Sequence, residues 1–256
     1  MKDEELTAAS NYQPALHDAV HSMLPEVLER AAADSGLSQD FALALLKRVD
    51  LPAAAIVSLS KNDVLMRIRK VRLALIAHPK APRHIALPLL RHLYTFDLMY
   101  VALTPVIPAD IKKAAEEVLL TRLEKISSGE KLSLARRASG RIAEQLLLQK
   151  EPRIINAALE NSRMTETSIV KAVVKIEASP ALIHAVCQHQ KWSQRRDVRI
   201  ALLQNEKTPL ARALEFAQSL SAPTLEQTLK KSALPLSVKK CLLNSKVNSS
   251  NSCVTD

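Results

Sequence analysis

The sequence predicts an all-α fold, a right-handed solenoid of about five stacked helical repeats, each about forty residues long, behind an N-terminal helical cap. Three observations predict it. The first is a twelve-residue stretch written twice: Val198 to Pro209 matches Val71 to Pro82, with six of twelve positions identical and no gap. The second is spacing. The same frame recurs from Ile154 to Thr165, with weaker echoes opening at Ile111 and Val238, so starts fall at 71, 111, 154, 198 and 238. Intervals of 40 to 44 residues are those of helical repeats, in which each unit buries its apolar face on its neighbours. The third is the make-up of the apolar residues: 47% of the chain is apolar, but aromatics are 3% and glycines only three. The core is therefore left to Leu, Ala, Val and Ile, which suit packed helices better than a sheet with its aromatics and turn glycines.

Taken in order, residues 1–13 are polar and read as a flexible N-terminus. Residues 14–60 read as the cap: Leu16, Val20, Met23, Leu24, Val27 and Leu28 have helical spacing after Pro14. A second helix follows Ser38-Gln39-Asp40, carrying Phe41, Leu45, Leu46 and Val49. Residues 61–245 read as the repeat region. Its clearest unit begins with Val71, Ala74 and Leu75 on one helix face and breaks at His78-Pro79 and Pro82. It continues through a second helix with Ile85, Leu87, Leu90 and Leu93, and a third from Phe96 to Leu103. The copy at 198 follows in register, Leu87 falling on Leu214, Leu93 on Leu220, Leu98 on Leu225 and Pro108 on Pro235. Between the copies, Gly129-Glu130-Lys131 opens one helix through Leu134, Ala138, Ile142 and Leu146. Pro152 introduces the unit at 154, and Leu182, Ile183 and Val186 form a short helix after Pro180. From Asn244 the chain turns rich in Asn and Ser, and residues 246–256 read as a disordered tail.

The formal charge of +10 is unevenly spread. Residues 1–40 carry Lys2 and Arg30 against eight acidic residues, leaving a strongly basic body behind an acidic head. Such a body suits an acidic or polyanionic partner, or the head itself. Cys187, Cys241 and Cys253 are too few and too scattered for a disulfide framework and point to a reducing compartment. With no signal-like N-terminus and no apolar run near ~20 residues, the expectation is a cytoplasmic protein without membrane insertion.

Asp197-Val198-Arg199 and Asp110-Ile111-Lys112 resemble the Asp and Val-Arg positions of HEAT-type repeats. Asn205-x-x-Thr208-Pro209 and His78-Pro79-x-x-Pro82 resemble leucine-rich-repeat-variant units. The resemblance covers residues from about 65 to 245 by the repeat logic. It implies a helical-repeat fold, and its motifs are shared by proteins of many functions. The cysteine cluster of some leucine-rich-repeat-variant proteins is missing, so no iron–sulfur role carries over, and no cofactor is expected.

The second position of the repeat is basic in four of five units, Arg72, Lys112, Arg199 and Lys239, with Ile155 the exception. Stacked repeats would set these charges in a row, with Arg69, Arg195 and Arg196 nearby. The row serves one of three ends: ladders with Asp or Glu of neighbouring units, a solvated outer surface, or an external polyanion such as a phosphate backbone. Asp110 and Asp197 are the local carboxylates, which leaves Arg72 and Lys239 as the less paired members and the better candidates for partner contact. Arg136, Arg137 and Arg141 form a second basic cluster. The few aromatics are dispersed and mostly on apolar stripes, which argues against base stacking. Trp192, beside Arg195 and Arg196, reads either as a partner anchor or as a buried plug between repeats. His184-x-x-Cys187-x-His189 has metal-capable side chains, but the spacing does not share one helix face and no fourth ligand is near. His17 and His21 lack a zincin glutamate between them. No Gly-rich phosphate loop, serine elbow or catalytic cysteine signature is present, so no catalytic residue and no metal site is assigned. The leading expectation is a non-enzymatic scaffold for a protein partner. The alternative is nucleic-acid binding on the basic face, as in HEAT-like DNA glycosylases, although their catalytic aromatic and carboxylate pairing is not recognisable here.

Overall fold

A computed structural model describes Asp18 and residues 21–251, with side chains through Lys246. The described residues are all-helical, with seventeen helices and no strand. The chain divides into two compact units, one ending at Arg122 and the other beginning at Leu123.

The first unit holds α1 (Pro25–Ala32), α2 (Gln39–Leu46), α3 (Ala53–Ser60), α4 (Asp63–Arg67), α5 (Arg69–Ala77), α6 (Arg83–Leu90), α7 (Thr95–Leu103) and α8 (Ala109–Arg122). Polar caps set several starts: the Ser38 hydroxyl accepts from Phe41 N–H, and the Asn62 side chain accepts from Leu65 N–H. Prolines set others, α6 following Pro82. The apolar stripes meet in a core that includes Leu28, Leu45, Leu51, Ile56, Leu59, Leu65, Val71 and Leu75. The cap helix expected from Pro14 lies partly outside the described residues. Asp18 and His21 are helical, the helix does not run on through residues 22–24 and α1 begins at Pro25, and Met23 and Leu24, expected on the apolar stripe, are exposed.

The second unit holds α9 (Ser128–Arg137), α10 (Gly140–Leu146), α11 (Pro152–Leu159), α12 (Glu166–Val174), α13 (Pro180–Gln188), α14 (Arg196–Gln204), α15 (Leu210–Ser219), α16 (Ala222–Lys230) and α17 (Leu236–Asn251). Helices two apart pack on one another: α9 with α11, α11 with α13, α10 with α12, α12 with α14, α14 with α16 and α15 with α17. Two expectations are corrected here. The single helix expected from Gly129 to Leu146 is two, because Ala138 is extended (ψ 177°) and its carbonyl, with that of Ala135, accepts from the Asn161 amide. The tail expected from 246 is helical through Asn251. Leu242 is fully buried and α17 packs on α15 and α16, so tertiary contact overrides the weak helix propensity of Asn and Ser. Residues 252–256 lie outside the described residues. α12 was not among the expected helices, although its Ile169, Ala172 and Val173 are buried with helical spacing.

One bonding device recurs. The residue just past a helix turns back and donates to a carbonyl near the C-terminal end of a helix earlier in the chain, where backbone acceptors lack intrahelical partners. Asn161 Nδ2 donates to Ala135 O (2.7 Å) and Ala138 O (3.1 Å). Asn205 Nδ2 donates to Val173 O (2.8 Å), and Ser232 Oγ to Leu203 O (2.9 Å). His78 Nε2 lies 2.8 Å from Arg48 O, while its Nδ1 accepts from Lys80 N–H, so the proton sits on Nε2. Each clasp residue also accepts from the backbone N–H two residues on, which fixes its own turn. His78, Asn161 and Asn205 hold the same position, the eighth, in the frames that start at 71, 154 and 198.

Candidate partner-binding surfaces

The basic row resolves into backbone clamps rather than acid ladders. Lys112 Nζ donates to Pro105 O (2.9 Å), and Lys239 Nζ to Ser232 O (2.8 Å). Arg199 Nε donates to Ser193 O (2.6 Å), with its guanidinium carbon 5.7 Å from the Phe216 ring centroid. In each case a basic side chain in a first helix reaches six or seven residues back into the preceding loop, a distance its alkyl stem spans along the helix surface. Arg72 differs, being half-buried with an Nε that has no hydrogen-bond partner among the described residues. The two carboxylates expected to pair with the row do otherwise: Asp110 pairs with Arg83 at 3.2 Å, and Asp197 borders a groove. Lys239, expected to be one of the free members, is therefore committed to a carbonyl.

The remaining sequence candidates separate in the same way. Arg69 forms a two-pronged bond to Asp97 (2.8 and 2.7 Å), whose residue is 4% exposed, and stacks 5.2 Å from the Tyr94 ring. Trp192 is 2% exposed and donates its indole N–H to Leu159 O (2.9 Å) under the Lys191 ammonium. It fills a gap and presents no anchor to a partner. Arg195 and Arg196 are exposed, Arg196 Nη2 reaching to 3.5 Å from Thr224 Oγ1. Arg136, Arg137 and Arg141 are exposed on α9 and α10. No group of three metal-capable side chains gathers among the described residues. Cys187 is buried, which pushes its thiol up to about 11, while burial holds the His189 imidazole below its ordinary value. His184 faces Gln188 instead (3.2 Å). His17 lies outside the described residues.

Sequence reading missed two surfaces. In the first unit, α7 buries Thr95, Asp97, Leu98 and Val101, which turns Phe96 and Tyr100, one helical turn apart, to the opposite side. Tyr94, just before the helix, is 63% exposed, Phe96 43% and Tyr100 51%. Phe96 and Tyr100 thus stand exposed on one face of α7, and Tyr94 is exposed just before it with Arg69 over its ring, correcting the expectation that the aromatics lie mostly on apolar stripes. In the second unit, two cavities of ≈370 and ≈340 Å³ share Val174, Ala201 and Gln204 and form a groove between α12 and α14. Glu166 and Asp197 border the first, and Lys175, Glu206, Lys207 and Lys231 the second. No helix among the described residues is long and apolar enough to cross a membrane.

Comparison with family models, with characterised proteins and with solved structures finds no match to this chain.

Proposed function

We propose that this chain is a HEAT-like helical-repeat scaffold that binds a protein partner and carries out no chemistry of its own. Its units, about five in number, form a right-handed solenoid behind the N-terminal cap. The packing of alternate helices supports the repeat, as does the clasp at one position of three frames, since a stacked array returns the same residue to the same neighbour. Three scattered cysteines suit a reducing compartment and support the reading of a cytoplasmic protein.

The observation that carries the binding role is the exposed pair Phe96 and Tyr100 on one face of α7, with exposed Tyr94 just before the helix. Aromatics and arginine are what interface cores are enriched in, and burying one such ring contributes about 1.5–3 kcal/mol. A chain this poor in aromatics has no packing reason to leave two of them in water on one helix face and a third just before it. The opposite charges along the α12–α14 groove offer a second place where a partner segment can be held in one direction.

A photo-crosslinking residue at Tyr100, compared with one at exposed Lys113 on α8, tests the reading in cells. The expected result is a discrete protein adduct from position 100 only, lost when Phe96 is also changed to Ala. Equal labelling from both positions would sink it. Adducts to nucleic acid, together with duplex binding in a filter assay that falls steeply with salt, would favour the nucleic-acid alternative instead.

A further inference from the structure

In the second unit a recess of ≈240 Å³ opens beside the starts of α14 and α16, bordered by Gln194, Arg196, Arg199, Ser219, Leu220 and Ser221. Two of these side chains are guanidinium groups and none is a carboxylate. Arg199 is half-buried and held in place from behind: its Nε is spent on Ser193 O and its plane lies near the Phe216 ring, which leaves both Nη groups without a partner among the described residues. Arg196, one helical turn earlier on α14, has among the described residues only the 3.5 Å contact to Thr224 Oγ1, long for a hydrogen bond. The Ser221 hydroxyl lies 2.8 Å from that of Thr224 on the other wall. Two arginines at i and i+3 are neighbours on a helix and repel one another, so the arrangement costs free energy unless an anion sits between them.

We propose that this recess binds a phosphate monoester, gripped by the guanidinium forks of Arg196 and Arg199 with Ser221 and Gln194 donating from the sides. Planar forks match phosphate oxygens in pairs, and a monoester offers three terminal oxygens where a carboxylate offers two. The enclosure is a single focus lined by two cations. A diester backbone would instead call for a track of cations along the surface. The inference stands independently of the aromatic pair on α7.

The test is titration of the full chain with orthophosphate, phosphoserine peptide, sulfate and a short single-stranded oligonucleotide, at constant ionic strength, followed by amide chemical shifts of Gln194, Leu220 and Ser221. Saturable shifts at these amides with phosphate or phosphoserine are expected. R196Q should weaken binding roughly tenfold or more, the effect of losing a charge-assisted bond, and so should R199K, which keeps the charge but loses the fork. R136Q, on another exposed arginine of the same unit, should leave it unchanged. Because the second ionisation of a monoester lies near pH 6, affinity should rise between pH 5 and 7.5 for phosphate and stay level for sulfate. Tighter binding of the peptide than of orthophosphate would assign the group to a phosphorylated protein, and the reverse to a free metabolite. Shifts that vanish against matched chloride, that respond equally to R136Q, or that appear only with the oligonucleotide would each overturn the proposal.

Discussion

Asn161 shows how much a single side chain carries in this chain. It is 2% exposed and its amide satisfies the carbonyls of Ala135 and Ala138, while its oxygen accepts from Arg163 N–H. N161A removes these partners at once and leaves buried acceptors unpaired, which costs about 1–3 kcal/mol. N161D should be worse, since it sets a second acceptor against two carbonyls. Urea denaturation measures both, and a midpoint unchanged in N161D would show that the clasp is not what holds the turn. Cys187 makes a prediction of a different kind. Burial raises its thiol to about 11, so at neutral pH it is protonated as well as enclosed, whereas Cys241 is exposed. Iodoacetamide should therefore modify Cys241 in the folded chain and Cys187 only on unfolding. The linkage has a definite sign: the thiol binds its proton more tightly when folded, so its contribution is full below the unfolded value of about 8.5 and is lost as pH rises towards about 11. The eighth-position clasp was visible in the sequence as an asparagine recurring in step, but not its purpose. The acceptors lie 23 to 32 residues away in the chain, and only packing brings them into reach.

Among the elements, those bounded by proline or a polar cap were the legible ones. α2 starts after Ser38, α5 stops at His78-Pro79, α11 begins at Pro152 and α13 at Pro180, as local chemistry dictates. The break between α9 and α10 was not legible, because neither Ala138 nor Ser139 opposes helix strongly. The cause comes from elsewhere in the chain: the turn after α11 brings Arg163 O against Gly140, where an added Cβ would sit 2.6 Å from it. That contact is with backbone, which cannot swing aside, so G140A should cost on the order of 1–3 kcal/mol even though alanine is the better helix former. G129A, with nothing within 4 Å of its Cβ position, is the control and should be neutral or slightly stabilising. Equal stability of the two variants in thermal denaturation would contradict the account. The exposed pair on α7 escaped sequence reading for a related reason. Phe96 and Tyr100 have the same spacing as a buried stripe, and only the choice of Thr95, Asp97, Leu98 and Val101 as the inward face decides otherwise. Asp97 could be buried only because Arg69 reaches it from α5.

At the scale of the molecule, the question is whether stability is shared across the second unit or handed from helix to neighbouring helix. α17 packs on α15 and α16, buries Leu242, and fixes its neighbours through Lys239 to Ser232 O and Lys246 to Gln218 O. In a stack of repeats each unit depends on the next one alone, so loss of an end loosens what it covered and spares the rest. In a single cooperative core the same loss unfolds everything. A chain ending at Pro235 removes α17 and with it the packing of that helix on α15 and α16. Hydrogen exchange should then quicken in α15 and α16, while the amides of α9 to α12 keep their protection, because their contacts with one another do not include α17. The N161A variant supplies the opposite perturbation, weakening α9 to α12 and leaving α15 to α17 protected. If either change instead abolishes protection throughout residues 123–235, stability is shared as in one core, and the stacked-repeat reading of this unit fails.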